Sequence, residues 1–230
     1  MTHTRRQVAV LFNPEKPAAR RAVSALSKWL KKQGVRPILG FAEQPLSKSE
    51  FAVVFGGDGT ILRAARIFAP LRIPILGINV GRLGFLAETD LKDLYPVLTK
   101  ALRSELRIDE RLMVKVSVIR KNKRARFSAL ALNDCYFHAG PSSRLTEIEA
   151  NVNGKYLATY TGDGIIVSTP TGSTAYSMAA SGPIVSPNLP VMLISPICPH
   201  TLAQRPILVS SRDKIELTIV SGAQNRYVLL

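Results

Sequence analysis

The hydrophobic pattern of this chain changes its period once, near residues 103–109, and that change limits the folds open to it. Before it, apolar runs at 8–12, 51–55 and 74–78 alternate with stretches of helical spacing at 19–30, 61–68 and 91–102. After it, apolar residues recur at every second position. The first pattern is typical of a doubly wound α/β unit and the second of an all-β unit. We therefore predict an α/β domain over residues 1–105 and an all-β domain over residues 106–230.

Local signals refine the two halves. Asn13 followed by Pro14 predicts a helix start, Gly34 its C-terminal cap, and Thr89 the cap of the helix over 91–102. The pair Asn153-Gly154 predicts a type I′ hairpin turn. Strands are expected at 112–118, 127–132, 145–152, 156–160, 165–168, 191–194, 207–210, 214–220 and 227–230. Because the last run ends with the chain, we expect the β domain to be cut short at its C-terminal end.

Charge and composition limit the kinds of partner and the location that we expect for this chain. Lys and Arg number 31 against 16 Asp and Glu, and a net charge of +15 favours anionic partners. Residues 120–126 hold five cations without interleaved aromatics, which predicts a solvated hairpin turn between two strands. Cys135 and Cys198 lack disulfide or zinc spacing, so we interpret both as buried free thiols. No apolar run is long enough for a membrane helix or a signal peptide, and we expect a cytoplasmic protein.

The first motif that can carry chemistry is Gly56-Gly57-Asp58-Gly59-Thr60, which follows a buried strand and precedes a helix. Glycines there let backbone N–H groups approach phosphate oxygens, and ligands of open α/β sheets bind at this edge. A lone carboxylate repels phosphate. It can instead accept a proton from a hydroxyl or hold a metal ion that bridges phosphates. The alternative is a tight turn in which Asp58 caps the helix.

Two further groups lie in the second half. The segment 169–176 carries four hydroxyls and ends on Tyr176 at an expected helix start, so it can bind a base edge or ribose, or be an ordinary capped turn. The pair Asn133-Asp134 ends a predicted strand and suits a diol or an amino-substituted ring, or is simply a polar strand end. Gly162-Asp163-Gly164 is a further glycine turn that carries an acid, and ordinary turn chemistry explains it as well as a role in binding does.

Taken together, these motifs resemble the NAD kinases in order and approximate spacing. The resemblance includes the segments 56–60, 77–86, 133–134, 162–164, 169–183 and 199–202, and it extends from about residue 8 to residue 220. It implies an α/β N-terminal Rossmann-like domain and an all-β C-terminal sandwich domain. It also implies transfer of the γ-phosphate of ATP to the 2′-hydroxyl of NAD, with Mg²⁺ or Mn²⁺. The implied partners are NAD, ATP and other copies of the chain in a dimer or tetramer, without membrane or nucleic acid.

The resemblance also assigns site residues. Asp58 matches the catalytic acid, while Gly56, Gly57, Gly59 and Thr60 form the phosphate-binding turn. The implied NAD contacts are Asp58, Gly59, Arg63, Phe85, Asn133, Asp134, Arg144, Asp163, Thr174, Ala175, Tyr176, Ser177, Met178 and Ala179. Asp163 corresponds to a residue that often reaches a neighbouring subunit's site.

Three departures from the family accompany these assignments. Asp134 replaces the usual Glu, Thr161 stands where relatives often have a basic residue, and members normally continue beyond residue 230 through an Asp-Gly-Gln turn. The alternatives are a lipid kinase of the same superfamily and a basic nucleic-acid-binding module. The polar segment 169–177 argues against the lipid kinase, and only the basic residues 120–126 favour the nucleic-acid module.

Overall fold

A computed structural model describes residues 6–40, 46–81, 84–87, 89–119, 125–138, 146–201 and 203–221, apart from the side chains at 125, 126 and 221. The chain divides into two compact units, residues 1–109 and 110–230. Among the described helices, none is long and apolar enough to cross a membrane.

The first unit is a parallel sheet with helices on both faces. Its five strands follow the order β2-β1-β3-β4-β5, and every pair is parallel. The strands are β1 (Gln7–Phe12), β2 (Arg36–Leu39), β3 (Phe51–Gly56), β4 (Ile75–Asn79) and β5 (Thr89–Asp90), and the helices are α1 (Pro17–Lys32), α2 (Asp58–Phe68) and α3 (Leu94–Leu102). The predicted α/β class is confirmed.

Alternation along β3 explains how both faces of the sheet are covered. Val53 and Phe55 belong to the buried cluster that includes side chains of α1 and α3. Ala52 and Val54 belong to a second cluster that includes side chains of α2. Because successive strand residues face opposite sides, a strand buried on both faces must be apolar throughout. All six residues of β3 are buried.

The start of α1 differs from the prediction. The helix begins at Pro17, after Lys16 at the N-cap, and not at Pro14. Asn13 is not the helix cap, because its Oδ1 accepts the Glu15 N–H at 2.9 Å and closes a turn three residues earlier. A proline at the first helical position is still favourable, since that N–H has no partner within a helix.

The end of α1 is as predicted. Gly34 has a φ of +74°, which an L side chain rarely adopts. The Val35 N–H donates to the Leu30 carbonyl at 2.9 Å, and the Gly34 N–H donates to the Lys31 carbonyl at 3.1 Å. These two bonds form the Schellman motif that caps the free carbonyls of a helix end.

Two other features of this unit differ from the prediction. Thr89 lies in the short strand β5 and does not cap a helix, because a 3₁₀ turn, Leu91–Asp93, precedes α3. Strand β2 was not predicted. It has four residues and one of them is Pro37, so neither its length nor its composition indicates a strand.

The second unit consists of antiparallel sheets. Its described strands are β6 (Val114–Ile119), β7 (Ala125–Ala131), β8 (Asp134–His138), β9 (Thr146–Val152), β10 (Lys155–Gly162), β11 (Gly164–Ser168), β12 (Val191–Ile197), β13 (Ile207–Ser210) and β14 (Ile215–Ser221). The same described residues include a short helix, α4 (Tyr176–Ala179). They form sheets of order β10-β9-β14, β13-β12-β11-β8 and β6-β7. Ile148 and Tyr160 of the first sheet share a buried cluster with Ile165 and Ile194 of the second. The predicted β-sandwich class is thereby confirmed.

Turns in this unit follow the sequence signals in part. Asn153 and Gly154 have φ values of 51° and 75°, as a type I′ turn requires, so that prediction is confirmed. Asn133-Asp134 is not simply the end of a strand, because β7 ends at Ala131 and Asp134 begins β8. The predicted basic turn at 120–126 joins the antiparallel pair β6–β7, but residues 120–124 lie outside the described residues. The predicted strand at 227–230 also lies outside them.

Candidate active site

The glycine-acid motif forms the link between β3 and α2. Strand β3 ends at Gly56, Gly57 occupies the N-cap, and Asp58 is the first residue of α2. A Cβ atom on Gly56 would overlap with the side chain of Thr60, so packing demands glycine there. Apart from their chain neighbours and the adjacent backbone of α2, no described atom lies within 4 Å of the Cβ positions of Gly57 or Gly59. Their backbone is therefore open to the close approach of a ligand.

Asp58 is held by a neighbouring loop. Its Oδ2 accepts the Phe85 N–H at 2.9 Å and its Oδ1 accepts the Leu86 N–H at 3.1 Å. A Cβ atom on Gly84 would overlap with the carboxylate, so the loop packs directly on it. Since each oxygen meets its own donor, the carboxylate has one orientation and keeps a lone pair on each oxygen for a further partner.

The loop that holds Asp58 follows strand β4. Parallel strands β3 and β4 are neighbours, and their carboxyl ends therefore lie at the same edge of the sheet. Asn79 ends β4, is only 6% exposed, and accepts the Gly81 N–H through Oδ1 at 2.9 Å. Sequence reasoning did not single out Asn79, although a polar residue at the end of a buried strand is the signal that could have found it.

Two other predicted residues of the first unit are exposed. Phe85 is 71% exposed, which is unusual for an aromatic side chain and leaves its ring free to pack on a ligand. Arg63 lies on the exposed side of α2. The edge thus combines one oriented carboxylate, open glycine backbone and an exposed ring.

In the second unit, Asn133 is locked by the segment 169–174. The Thr169 N–H donates to the Asn133 carbonyl at 2.8 Å, and a Cβ atom on Gly172 would overlap with that carbonyl. The predicted helix start is a 3₁₀ turn, Thr171–Thr174, followed by the single turn of α4. The main chain of Asn133 is therefore fixed by close backbone packing.

Most hydroxyls of this segment face inward. Thr169 Oγ1 donates to the Leu132 carbonyl at 2.5 Å, and Ser173 Oγ donates to the Pro170 carbonyl at 2.7 Å. Ser177 Oγ lies 3.0 Å from Ser195 Oγ, and the side chains of Thr169, Ser173, Ser177 and Ser195 are all fully buried. For these side chains the structure favours the alternative of an ordinary capped turn, because their hydroxyls bond to nearby carbonyls or, at Ser177, to another hydroxyl.

The groups left for a ligand are at the end of the segment. Thr174 and Ala175 are half-buried, while Tyr176, Met178 and Ala179 are exposed. The Tyr176 ring contacts the Tyr136 ring edge-on, with centroids 5.1 Å apart. Tyr136 was not predicted, because it lies in strand β8, which the sequence did not reveal.

Asp134 lies beside this aromatic pair. Its carboxylate accepts the backbone N–H of Tyr176. Burial raises the pKa of the Asp134 carboxyl, and the N–H of Tyr176 opposes that rise without cancelling it. A half-buried carboxylate with one N–H donor has oxygen lone pairs left for the hydroxyls of a diol.

Asp163 adds a second acid to the same patch. The Cys198 thiol donates to its carboxylate, and this bond, together with the negative charge of Asp163, raises the pKa of Cys198. Burial is the main cause that raises the pKa of Tyr176, and the nearby charges of Asp163 and Asp134 contribute. Asp134, Asp163 and Tyr176 therefore lie close together.

The prediction that Cys198 is buried is wrong, because it is exposed.

The glycines beside Asp163 have a packing role. Cβ atoms there would meet backbone: at Gly162 the Ile197 carbonyl lies 2.7 Å away, and at Gly164 the Phe137 carbonyl would overlap. Arg144, the remaining predicted contact, lies outside the described residues. Within the described part of the chain, no group of three or more His, Cys, Asp or Glu residues could hold a metal ion by itself.

Comparison with known proteins agrees with this geometry. Residues 19–106 match the ATP-NAD kinase N-terminal domain, and residues 132–230 match the ATP-NAD kinase C-terminal domain. The NAD kinase of Moorella thermoacetica is 42% identical over 93% of this chain and 72% of its own length. The NAD kinase of Caldanaerobacter subterraneus is 42% identical over 96% of this chain and 82% of its own length.

Solved structures agree as well. Yeast NADH kinase complexed with NADH superimposes with a TM-score of 0.85 at 28% identity, over 94% of this chain and 72% of that one. An NAD kinase from Archaeoglobus fulgidus in complex with ATP gives a TM-score of 0.74 at 28% identity, over 96% of this chain and 86% of that one. Since both domains match and curated relatives are about 40% identical over most of the chain, this protein belongs to the NAD kinase family.

Proposed function

We propose that this chain transfers the γ-phosphoryl group of ATP to the 2′-hydroxyl of the adenosine ribose of NAD, forming NADP and ADP. The curated relatives named above are NAD kinases, and the two similar structures contain NADH and ATP. They favour this reaction over a lipid kinase or a nucleic-acid-binding module. A cytoplasmic homo-oligomer is part of the proposal.

The observation that carries the mechanism is the orientation of Asp58 by two backbone donors. With both oxygens held, the carboxylate can accept the proton of the 2′-hydroxyl without first rotating. The 2′-oxygen of the ribose, as it loses this proton, attacks the γ-phosphorus of ATP in line with the departing ADP oxygen. Preorganisation of this kind lowers the barrier because the group is already placed before the reaction.

Phosphate binding is assigned to the same turn. The open backbone at Gly57 and Gly59 lets N–H groups approach phosphate oxygens, and the first turn of α2 adds partial positive charge. Gly56 and Thr60 shape the turn through their mutual contact.

The adenosine part of NAD is assigned to the second unit. Asn133 and Asp134 would bind the ribose or the ring edge, and the exposed face of 174–179 would cradle adenine beside Tyr136. The complete proposed set of NAD contacts is Asp58, Gly59, Arg63, Phe85, Asn133, Asp134, Arg144, Asp163, Thr174, Ala175, Tyr176, Ser177, Met178 and Ala179. Since the Ser177 side chain is buried, its contact would come from the backbone.

The divalent ion fits this arrangement as a partner of ATP. Mg²⁺ usually binds substrate phosphates, water and one or two carboxylates and does not need an all-protein cage. Asp58 is the carboxylate at the phosphate-binding turn, and its remaining lone pairs could hold Mg²⁺ or Mn²⁺. When bound, the ion would neutralise charge that develops on the phosphates.

The first prediction tests Asp58. Asp58→Asn keeps the size of the side chain and removes its basicity, so we expect turnover to fall by at least about 10²-fold with NAD affinity largely unchanged. NADP formation from ATP, magnesium and NAD measures the first quantity, and calorimetry measures the second. Asp93→Asn, at the exposed N-cap of α3, is the matched control and should behave as the parent. Near-normal turnover in Asp58→Asn would contradict the assignment.

The second prediction concerns the loop that holds Asp58. Gly84→Ala places a methyl group against the carboxylate and should lower turnover by about 10² if the carboxylate moves by about 1 Å. Because the effect acts through Asp58, the double variant Asp58→Asn with Gly84→Ala should be hardly slower than Asp58→Asn alone. If the double variant instead lost turnover by the product of the two single losses, Gly84 would act independently of Asp58. Equal thermal midpoints would exclude unfolding as the cause.

The third prediction uses the raised pKa of Asp134. The folded state raises the pKa of Asp134, so ionisation of this carboxyl lowers the free energy of unfolding. This loss of stability is absent below about pH 4 and is complete above the raised pKa of the folded state. Asp134→Asn should therefore melt at a higher temperature than the parent at pH 7, and the difference should vanish at acidic pH. NAD affinity should fall by about fivefold to tenfold, the scale of one hydrogen bond.

A charge-retaining variant is the control for Asp134. Asp134→Glu, which restores the family's usual acid, should keep the parent's pH dependence of stability and bind NAD equally or more tightly. A loss of stability at pH 7 in Asp134→Asn, or unchanged NAD affinity, would contradict the proposed environment and role.

The fourth prediction concerns Asp163 and the oligomer. If Asp163 reaches a neighbour's site, then a subunit with Asp58→Asn and a subunit with Asp163→Asn can form one intact site in a mixed dimer. Each variant alone should be nearly inactive, and mixing after reversible dissociation should restore about a quarter of the parent activity. Light scattering should show at least a dimer. An active monomer, or a mixture as inactive as its parts, would exclude a shared site.

A further inference from the structure

A lysine at the site edge was not assigned a role by the sequence. Lys16 lies in the loop between β1 and α1, and Asn13 fixes the shape of that loop. The Asn13 N–H donates to the Phe55 carbonyl of β3 at 3.4 Å, and the Asn13 carbonyl accepts the Lys16 N–H at 3.2 Å. The backbone of Lys16 is therefore tied to the carboxyl end of β3.

The side chain of Lys16 extends across that edge of the sheet. Its Nζ lies 3.4 Å from the position that a Cβ atom would occupy on Gly81, in the loop that follows β4. Strand β3 lies between β1 and β4, which are therefore about 10 Å apart. The side chain therefore reaches from the loop after β1 to the loop after β4, at the edge of the sheet where the Gly56-Gly57 turn also begins.

The charge of Lys16 is not balanced by the described part of the protein. No described carboxylate, Asp58 included, lies within 4.0 Å of its Nζ, and its side chain makes no hydrogen bond with a described residue. Lys16 is also half-buried and occupies the N-cap of α1, whose first turn contains no acidic residue. A cation there opposes the helix dipole and weakens folding. An anion beside Nζ would reverse that effect.

We propose that Lys16 binds the triphosphate of the donor ATP through its Nζ. The proposal rests on the proposed function, because it assigns a phosphate contact to that reaction. The acceptor is the less suitable partner, since the residues matched to NAD are mainly in the second unit and the diphosphate of NAD carries less charge than ATP. A lysine at the same sheet edge as the glycine turn can place a point charge beside phosphates whose other oxygens meet backbone N–H groups.

The experiment compares Lys16→Met, Lys16→Arg and the parent chain. Lys16→Met keeps much of the apolar stem and removes the charge, so we expect the KM for ATP to rise by about tenfold or more, the effect of one charge-assisted hydrogen bond. The KM for NAD should stay within about twofold, because the proposed contact is not with NAD. Lys16→Arg should recover most of the ATP affinity. Lys28→Met, exposed on the same helix, is the matched control and should change neither constant.

Direct binding separates this proposal from the proposed function. Calorimetric titration of ATP with magnesium into each variant, without NAD, should show weaker binding for Lys16→Met alone. A parent chain that binds ATP but forms no NADP would refute the proposed reaction and leave the Lys16 contact supported. Unchanged ATP affinity in Lys16→Met, or equal increases in KM for ATP and NAD, would overturn the role of Lys16.

Discussion

The hydrogen bonds from the Phe85 and Leu86 N–H groups to Asp58 connect the two loops that form the candidate site at the edge of the first unit's sheet. They join the start of α2 to the loop after β4, two pieces that are adjacent only because β3 and β4 pair in parallel. The pairing in turn depends on a β3 that is buried on both faces by helices. The orientation of one carboxylate is thus a consequence of how the whole sheet is packed.

The second unit positions its groups by a different means. Here the backbone itself is closely packed: Gly172 lies against the Asn133 carbonyl, and Gly164 lies against the Phe137 carbonyl. Buried hydroxyls such as those of Thr169 and Ser173 satisfy nearby carbonyls. An unsatisfied buried carbonyl would destabilise the fold, so these polar side chains have a structural role even though they lie inside a functional motif. The exposed part of the segment is then free for recognition.

Charge is distributed in keeping with two anionic substrates. The chain carries a net charge of +15, which raises the local concentration of polyanions in general. At the sheet edge, Lys16 has no carboxylate partner among the described residues, and the first turn of α1 beside it contains no acidic residue. In the second unit, Asp134 and Asp163 instead place negative charge near Tyr176, where a neutral group such as the proposed adenosine would meet less repulsion than a phosphate. The two units therefore differ in the kind of group that they favour.

The local sequence by itself determined the fold classes of this protein and several of its turns. The change of hydrophobic period predicted both fold classes, because periods of 3.6 and 2 follow from backbone geometry alone. Gly34 and the Asn153-Gly154 turn were predicted because a positive φ is a property of a few residue types. The ordered motifs of residues 56–202 were sufficient to indicate the family.

Other features depended on contacts between residues far apart in the chain. The sequence could not show that Asn13 turns the chain before α1, that Thr89 pairs in a strand, or that the hydroxyls of Thr169 and Ser173 face inward. Nor could it show that Lys16 reaches the loop at Gly81. Each of these outcomes depends on which partner the folded backbone brings within hydrogen-bonding or van der Waals distance. Residue type and spacing determined the elements, and only tertiary packing decided which atoms face a ligand.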